Sequence, residues 1–188
     1  MAIIKQTERK EFEKPNAGLV PVTIIDVIDL GWVPTTFNNV QSETEKIRVV
    51  WILGSKDSEG RPFRIISDFN KNINMNPKTG KKSRLYELIE QVFQAPPGKE
   101  FDDETLVGRS NRAFLAKETN AITGKIYTNI KGLLPLEVND VPPVAPEDFV
   151  REMNKPNGIR PRAATVAGQA TQTASAASNT ASNTVSLN

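Results

Sequence analysis

The stretch "EKIRVVWILGSKDSEGRPFRII", which runs from Glu45 to Ile66, decides the fold. Two runs rich in β-branched, aromatic and charged residues flank the polar segment "GSKDSEGRP". Such runs, separated by Gly and Pro, are typical of two antiparallel strands joined by a turn. The first run carries Lys46, Arg48 and Trp51, so this predicted sheet combines cations with a large ring.

Alternation along the two strands assigns their side chains to opposite faces of the sheet. In the first strand, the more apolar face is predicted to be the core and holds Ile47, Val49, Trp51 and Leu53. In the second strand, the more apolar set is Phe63, Ile65, Ser67 and Phe69, and the opposite set is Arg64, Ile66 and Asp68. The opposite face of both strands therefore carries charge.

The residues upstream predict one more strand. Residues 18–29, "GLVPVTIIDVID", are β-branched and bounded by Gly, which predicts a long first strand. Residues 30–44 contain Gly, Pro and paired Asn and are predicted to form a loop. The second and third strands then cover about residues 45–53 and 62–70. These three strands are expected to form a meander.

A helix is predicted after a loop of Asn, Pro, Gly and Lys. The segment "SRLYELIEQVFQ" repeats apolar residues at helical spacing, at Leu85, Leu88, Ile89, Val92 and Phe93. Ser83 is a suitable N-cap, and "APPG" ends the helix. Asp102 or Asp103 is expected to cap one further short turn.

Two more strands follow the helix, "NRAFLAKET" and "KIYTNIKGLLPL", joined by the turn "NAITG". The predicted order is thus β-β-β-α-β-β, which is the order of the OB-fold, a five-stranded, partly open barrel. The sequence therefore predicts an all-β barrel with one helix over residues 18–136. Residues 1–17 are predicted to be an N-terminal arm, and residues 137–188 a Pro-rich linker with a disordered tail rich in Ala, Ser, Thr and Asn.

Composition excludes several classes of site. The 188 residues include no Cys and no His, which excludes disulfides, the usual zinc sites and Ser-His-Asp catalysis. The net charge of +2 is too small to indicate a polyanion partner without local clustering. No stretch approaches the roughly 18 apolar residues of a membrane span. We expect a cytoplasmic protein without cofactor, metal or membrane partner.

Four segments together resemble a known family. "VPVTIIDVIDLG", "EKIRVVWIL", "DSEGRPFRI" and "GKIYTNIKGLLPL" are similar to phage-type OB-fold single-stranded DNA-binding proteins, and the resemblance covers about residues 18–136. It implies non-catalytic binding of single-stranded DNA with little sequence preference, in phage DNA replication or recombination within the host cytoplasm. Related cellular proteins often end in an acidic tip that recruits replication or recombination proteins. This chain ends "NTASNTVSLN", so "VNDVPPVAPEDFV" is the acidic-apolar segment that could recruit them instead.

Single-strand binding requires cations for phosphates and rings for bases. The candidate rings are Trp32 and Phe37 in the predicted loop, Trp51 and Phe69 on strands, and Tyr127. The candidate cations lie on the strands and in the basic run before the helix: Lys46, Arg48, Arg64, Lys71, Lys81, Lys82, Arg84, Lys117 and Lys131. Arg64 is expected beside Arg48, and Lys117 beside Tyr127 and Lys131.

Each candidate also has a purely structural interpretation. Trp51 and Phe69 also fit the core, and the loop rings could anchor their own loop. Arg48 could pair with Asp26 or Asp68, and the basic run could simply be a solvated loop.

Other functions and ligands also fit parts of the sequence. A metal-dependent nuclease would use Asp26, Asp29, Asp68 and Glu87, which lie on separate predicted elements without motif spacing. An OB-fold adaptor that binds a protein partner is the other alternative. RNA is an alternative ligand, because the choice depends on contacts to the 2′-hydroxyl. A homo-oligomer formed through strand edges is also considered.

Overall fold

The computed structural model describes residues 13–37, 40–121 and 123–163. The predicted tail beyond residue 163 and most of the predicted arm lie outside the described residues. The regular elements are, in chain order, β1 (Gly18–Phe37), β2 (Val40–Lys56), β3 (Pro62–Asn70), α1 (Arg84–Phe93), a 3-10 turn (Asp103–Leu106), β4 (Ser110–Thr119), β5 (Ile126–Leu134) and a second 3-10 turn (Glu152–Asn154).

The five strands form one antiparallel sheet in the order β3-β2-β1-β4-β5. The single α-helix lies between β3 and β4 in the chain, as predicted. Its N-cap is Ser83, whose side chain accepts a hydrogen bond from the Tyr86 N–H, and Asp102 caps the first 3-10 turn. The mostly-β fold with one helix is therefore confirmed.

β1 and β2 are longer than the sequence predicted. Residues 31–37 of β1 pair with residues 40–46 of β2 as a two-stranded ribbon, which corrects the predicted loop. Thr35 supports this pairing, because its hydroxyl lies 2.9 Å from the Ser42 hydroxyl. Gly31 adopts φ +60° beside a register shift, where a residue without Cβ lets the strand bend. Gly and Pro therefore marked a bend in a strand rather than its end.

The core lies between one face of the sheet and α1. It contains the predicted set of β2, and Trp51 is the largest fully buried side chain. The helix contributes its apolar stripe, of which Leu85, Leu88, Ile89 and Val92 are buried. The core that the strand and helix periodicities predict is therefore confirmed.

The other face of β1 and β2 carries a second, smaller apolar cluster, formed by Ile25, Ile28, Val50 and Ile52. Ala145 and Phe149 pack against it, so residues 145–162, here named the C-terminal strap, follow the outside of the sheet. The strap ends in a parallel bridge between Arg162 and Gly31. The linker predicted from residue 137 onward is therefore a docked segment in this part, because Phe149 gives it an apolar anchor that its Pro content concealed.

Buried charge also holds the C-terminal strap. Asp26 of β1 is buried and accepts hydrogen bonds from Arg151 Nε at 3.0 Å and from the Glu152 N–H at 2.7 Å. Arg151 also pairs with Glu104 of the first 3-10 turn. These hydrogen bonds raise the pKa of the Arg151 guanidinium, the bond to Glu104 most strongly. A buried carboxylate is stable here because a cation and a backbone donor both satisfy it.

Candidate nucleic-acid interface

The outer face of β2 and β3 carries the predicted cations, but their cross-strand neighbours differ from those predicted. Arg48 lies opposite Asp68, and Arg64 lies opposite Ile52. Arg48 and Arg64 are therefore not neighbours, which corrects the predicted pair. Arg48 instead donates from Nε to Asp68 at 2.7 Å, and this hydrogen bond lowers the pKa of Asp68.

Arg64 and Lys46 occupy the two ends of that face. The guanidinium of Arg64 lies 5.2 Å from the ring centroid of Phe149 in the C-terminal strap. Lys46 lies opposite Asn70 and forms no ion pair with any residue that the structure describes. The contact with Phe149 could not have been found from sequence, because no local pattern links residues so far apart in the chain.

Two of the predicted stacking rings belong to the core. Trp51 is only 1% exposed and Phe69 only 8% exposed, so neither ring presents a face to solvent. Both lie on the apolar faces that alternation assigned to the core, and this overrides their candidacy as base contacts. Arg84, another candidate, lies with its guanidinium 5.3 Å from the Phe69 ring centroid.

Trp32 is the exposed tryptophan. It lies on the ribbon of residues 31–37 and 40–46, opposite Glu45, and is 38% exposed. Phe37 is the last residue of β1, and its side chain lies outside what the structure describes. Trp32 is therefore on a strand rather than in a loop, but its ring faces solvent as the prediction required.

The basic run forms a turn between β3 and α1 that is held by hydrogen bonds. We name residues 71–84 the basic segment. Met75 and Lys82 form an antiparallel bridge, and the Asn76 N–H donates to the Lys81 carbonyl at 2.8 Å. The Asn76 side chain accepts from the backbone N–H groups of Lys78 and Thr79. The basic segment therefore presents its lysines from a fixed backbone.

Two of these lysines are paired with carboxylates. Lys71 Nζ lies 2.7 Å from Asp29 and 3.4 Å from Glu45, which is the cross-strand neighbour of Trp32. Its hydrogen bond to Asp29 raises the pKa of Lys71. Lys82 pairs with Glu90 of α1 at 2.5 Å. Both ion pairs neutralise lysines that the sequence predicted as phosphate contacts.

Lys78 and Lys81 are different. Both are exposed, and neither forms an ion pair within the described ranges of the chain. The sequence indicated Lys81 as a candidate because of the charge density of the whole segment. Lys78 belongs to the same basic run, although it was not among the predicted contacts. Within the described residues, the cations of the basic segment that form no ion pair are Lys78, Lys81 and Arg84, and Arg84 lies beside the Phe69 ring.

On β4 and β5, the prediction that Lys117 lies beside Tyr127 and Lys131 is also wrong. Tyr127 lies opposite Glu118, whereas Lys117 lies opposite Thr128 and so faces the other side of the sheet. Lys131 donates to Glu118, as does Asn129 at 2.6 Å. The hydrogen bond from Lys131 is the main reason why the pKa of Glu118 is lowered. Tyr127 and Lys131 therefore surround a carboxylate rather than joining Lys117.

A small open cleft lies between β3, α1 and β5. Its volume is about 100 Å³. It brings together four of the predicted residues, Trp51, Phe69, Arg84 and Lys131. Gln91 of α1 also lines it and accepts a hydrogen bond from the Leu133 N–H at 2.9 Å. The cleft marks the place where the two edge strands approach each other over the helix.

The carboxylates considered for a metal site are held apart. Asp26 binds Arg151, Asp29 binds Lys71, and Asp68 binds Arg48. Among the residues that the structure describes, no group of three or more carboxylates is placed to hold a metal ion. No described helix is long and apolar enough to cross a membrane.

Comparison with known proteins adds no identification. Neither the family models searched nor the curated proteins match this sequence.

Proposed function

We propose that this chain is a non-catalytic protein that binds single-stranded DNA with little sequence preference. The observation that carries the proposal is the exposed ring of Trp32 beside the start of the basic segment. Lys71 contacts Glu45, and Glu45 is the cross-strand neighbour of Trp32. Single-strand binding requires a ring for bases and cations for phosphates. Trp32 offers the ring, and the basic segment, which begins next to it at Lys71, offers the exposed Lys78 and Lys81.

The fold supports the same proposal. We infer that the sheet is an OB-fold barrel, because the order β3-β2-β1-β4-β5, with a helix between β3 and β4, agrees with that topology. In OB-folds the ligand crosses the second and third strands and the loop that follows the first. The ribbon that carries Trp32 occupies the place of that loop. Participation in phage replication or recombination is part of this proposal and depends on the sequence resemblance.

Cation availability defines the expected contacts. Lys46, Lys78 and Lys81 form no ion pair in the described part of the chain, so they can bind phosphates without first breaking one. Arg48, Lys71 and Lys131 are already paired with carboxylates. We therefore assign the main phosphate contacts to Lys78 and Lys81 of the basic segment and the stacking contact to Trp32.

The test is an anisotropy titration of labelled oligothymidine at several salt concentrations, with duplex DNA of equal length as control. The double variant Lys78→Ala/Lys81→Ala should weaken binding and reduce the salt slope by about 1.4, since each phosphate contact on a single strand contributes about 0.7. The matched control is Lys56→Ala/Lys99→Ala, which removes two exposed lysines outside the basic segment. Equal affinity for duplex and single strand, or no binding, would refute the proposal.

A further inference from the structure

The C-terminal strap meets the ribbon on the edge of β1 that faces away from β2. β2 pairs with the opposite edge of β1, and Arg162 of the C-terminal strap lies beside Gly31. Two backbone hydrogen bonds fix this contact. The Arg162 N–H donates to the Leu30 carbonyl at 3.1 Å, and the Trp32 N–H donates to the Arg162 carbonyl at 2.8 Å. The end of the C-terminal strap is therefore a backbone neighbour of Trp32.

Contacts within the C-terminal strap direct its end to this place. The Glu152 carboxylate accepts a hydrogen bond from the Ile159 N–H at 3.0 Å, which closes the intervening residues into a loop. Gly158 permits this loop, because a Cβ there would clash with the Glu152 carbonyl oxygen. The same Glu152 donates its N–H to the buried Asp26 of β1. The position of Arg162 is therefore fixed by the fold from both sides.

The Arg162 guanidinium lies on the face of the ribbon that carries Trp32. Trp32 lies opposite Glu45 of β2, and Glu43 lies two residues before Glu45, so alternation places the three side chains on one face. The guanidinium of Arg162 lies 3.9 Å from the Glu43 carboxylate. Because neighbouring strands lie about 4.8 Å apart, the Arg162 side chain has to extend over β1 to reach β2. It therefore crosses the ribbon beside Trp32.

Trp32 thus lies between two cations. Lys71 follows β3, and its N–H donates to the Glu45 carbonyl at 2.8 Å on the edge of β2 that faces away from β1. The order across the sheet is therefore Lys71, then Glu45, then Trp32, then Arg162. Lys71 Nζ lies 3.4 Å from the Glu45 carboxylate, as Arg162 lies near that of Glu43. Trp32 is 38% exposed and the Arg162 side chain 56% exposed, so both face solvent.

The charges of this face suit a polyanion once both cations are counted. Glu43 and Glu45 would repel phosphates, and Arg162 and Lys71 lie against these two carboxylates. A guanidinium carries five N–H donors, so Arg162 can donate to a phosphate while it keeps its contact with Glu43. A ring flanked by cations matches a single strand, in which each base lies between two phosphates.

We propose that the C-terminal strap forms one side of the single-strand site, and that Arg162 contacts a phosphate next to the base that stacks on Trp32. This assignment rests on the proposed binding of single-stranded DNA and adds a path to it. The strand runs from the basic segment, across the ribbon, to the C-terminal strap. The sequence gave no signal for this contact, because Arg162 lies in the part predicted as linker and tail.

The test is an anisotropy titration of labelled oligothymidine with the full chain, from about 50 to about 300 mM salt. Arg162→Ala should weaken binding about tenfold at the lowest salt and reduce the salt slope by about 0.7, the contribution of one phosphate contact on a single strand. Arg162→Lys keeps the charge and should keep the slope of the wild type.

Arg160→Ala is the matched control. It removes the same charge from the same C-terminal strap, but the Arg160 guanidinium donates to the strap's own carbonyls, of Lys155 at 3.2 Å and Ile159 at 3.3 Å. Its affinity should stay within about twofold of the wild type, since salt screens an exposed charge that does not contact the ligand. Equal losses in Arg160→Ala and Arg162→Ala would overturn the proposal, because net charge alone would explain them.

Hydrogen exchange at the Trp32 N–H separates loss of the contact from release of the C-terminal strap. Arg162→Ala keeps both backbone hydrogen bonds to β1, so exchange should match the wild type, and faster exchange would overturn the proposal. If Lys78→Ala/Lys81→Ala weakens binding and Arg162→Ala does not, the assignment of Arg162 is wrong and the proposed function stands. A wild type that does not bind oligothymidine would refute the proposed function and this assignment with it.

Discussion

At the scale of single residues, the two tryptophans have opposite roles. Trp51 is buried in the core and Trp32 is exposed on the ribbon. Trp51→Ala should lower the free energy of unfolding by about 3–5 kcal/mol, as expected for removal of a fully buried ring. Trp32→Ala should cost clearly less than Trp51→Ala, because 38% of Trp32 is exposed. Urea unfolding of both variants checks this, and equal losses would contradict the assignment of Trp51 to the core.

A second prediction at this scale concerns Asp26. Among the described residues, Asp26→Ala leaves Arg151 with Glu104 as its remaining charged partner, and it removes the acceptor of the Glu152 N–H. We expect a loss of about 3–5 kcal/mol, because breaking a buried pair from one side leaves an uncompensated group. The control is Arg48→Ala at the more exposed pair with Asp68, where the loss should be about 1 kcal/mol or less. Chemical denaturation measures both, and similar values would show that Asp26 is not a structural anchor.

Alternation could assign buried and exposed positions, but it could not assign partners. The core faces of β2 and β3 follow from a period of two, and Trp51 and Phe69 are buried at positions that this period assigns to the core. The pairing of Arg48 with Asp68 rather than Asp26 depends on register, which the sequence does not specify at the level of one residue. Charge density likewise identified the basic segment, but only the fold shows that Lys71 and Lys82 are neutralised.

At the scale of elements, Gly31 joins the ribbon to the C-terminal strap. Its φ of +60° favours glycine, and a Cβ there would lie 2.3 Å from the backbone N and O of Arg162. Gly31→Ala should therefore release the end of the C-terminal strap, and hydrogen exchange at the Trp32 N–H, which donates to the Arg162 carbonyl at 2.8 Å, should accelerate. Exchange is read by mass spectrometry or NMR.

Gly60→Ala is the matched control for that prediction. Gly60 also has a positive φ, of +78°, but a Cβ there would meet nothing within 4 Å. It should cost only the conformational strain, of about 1–2 kcal/mol, without faster exchange at Trp32. Unchanged exchange in Gly31→Ala would contradict a close contact between the C-terminal strap and β1.

The elements themselves were largely predictable, apart from two. The helix and β3 followed from periodicity, because their apolar positions match a single regular spacing. The ribbon was missed because Gly31 and Pro34 resemble loop residues, although a bend and an edge position tolerate both. The C-terminal strap was missed because its support is distant in sequence: Asp26 and the cluster around Val50.

At the scale of the whole molecule, stability should fall in acid. Hydrogen bonds from Arg48 and Arg151 lower the pKa values of Asp68 and Glu104, whose ordinary values are 3.8 and 4.5. A lowered pKa gives stability that is present above the ordinary value and is lost as pH falls through the lowered one. Burial raises the pKa of Asp103, which contributes with the opposite sign.

The free energy of unfolding should therefore decline below about pH 4.5. Urea unfolding at a series of pH values measures it. Asp68→Asn should make the decline shallower, since it removes one of the groups whose pKa is lowered. A constant free energy between about pH 5 and pH 3 would show that these pairs do not form in solution.

The most direct test of the central claim is tryptophan fluorescence during titration with oligothymidine at low and moderate salt. Single-strand binding should quench the wild type and Trp51→Phe, because the exposed Trp32 reports in both, and the effect should weaken as salt rises. Trp32→Phe should lose the quenching. Quenching that persists in Trp32→Phe, or that is absent from the wild type at every salt concentration, would contradict the assignment of Trp32 and the basic segment to single-stranded DNA.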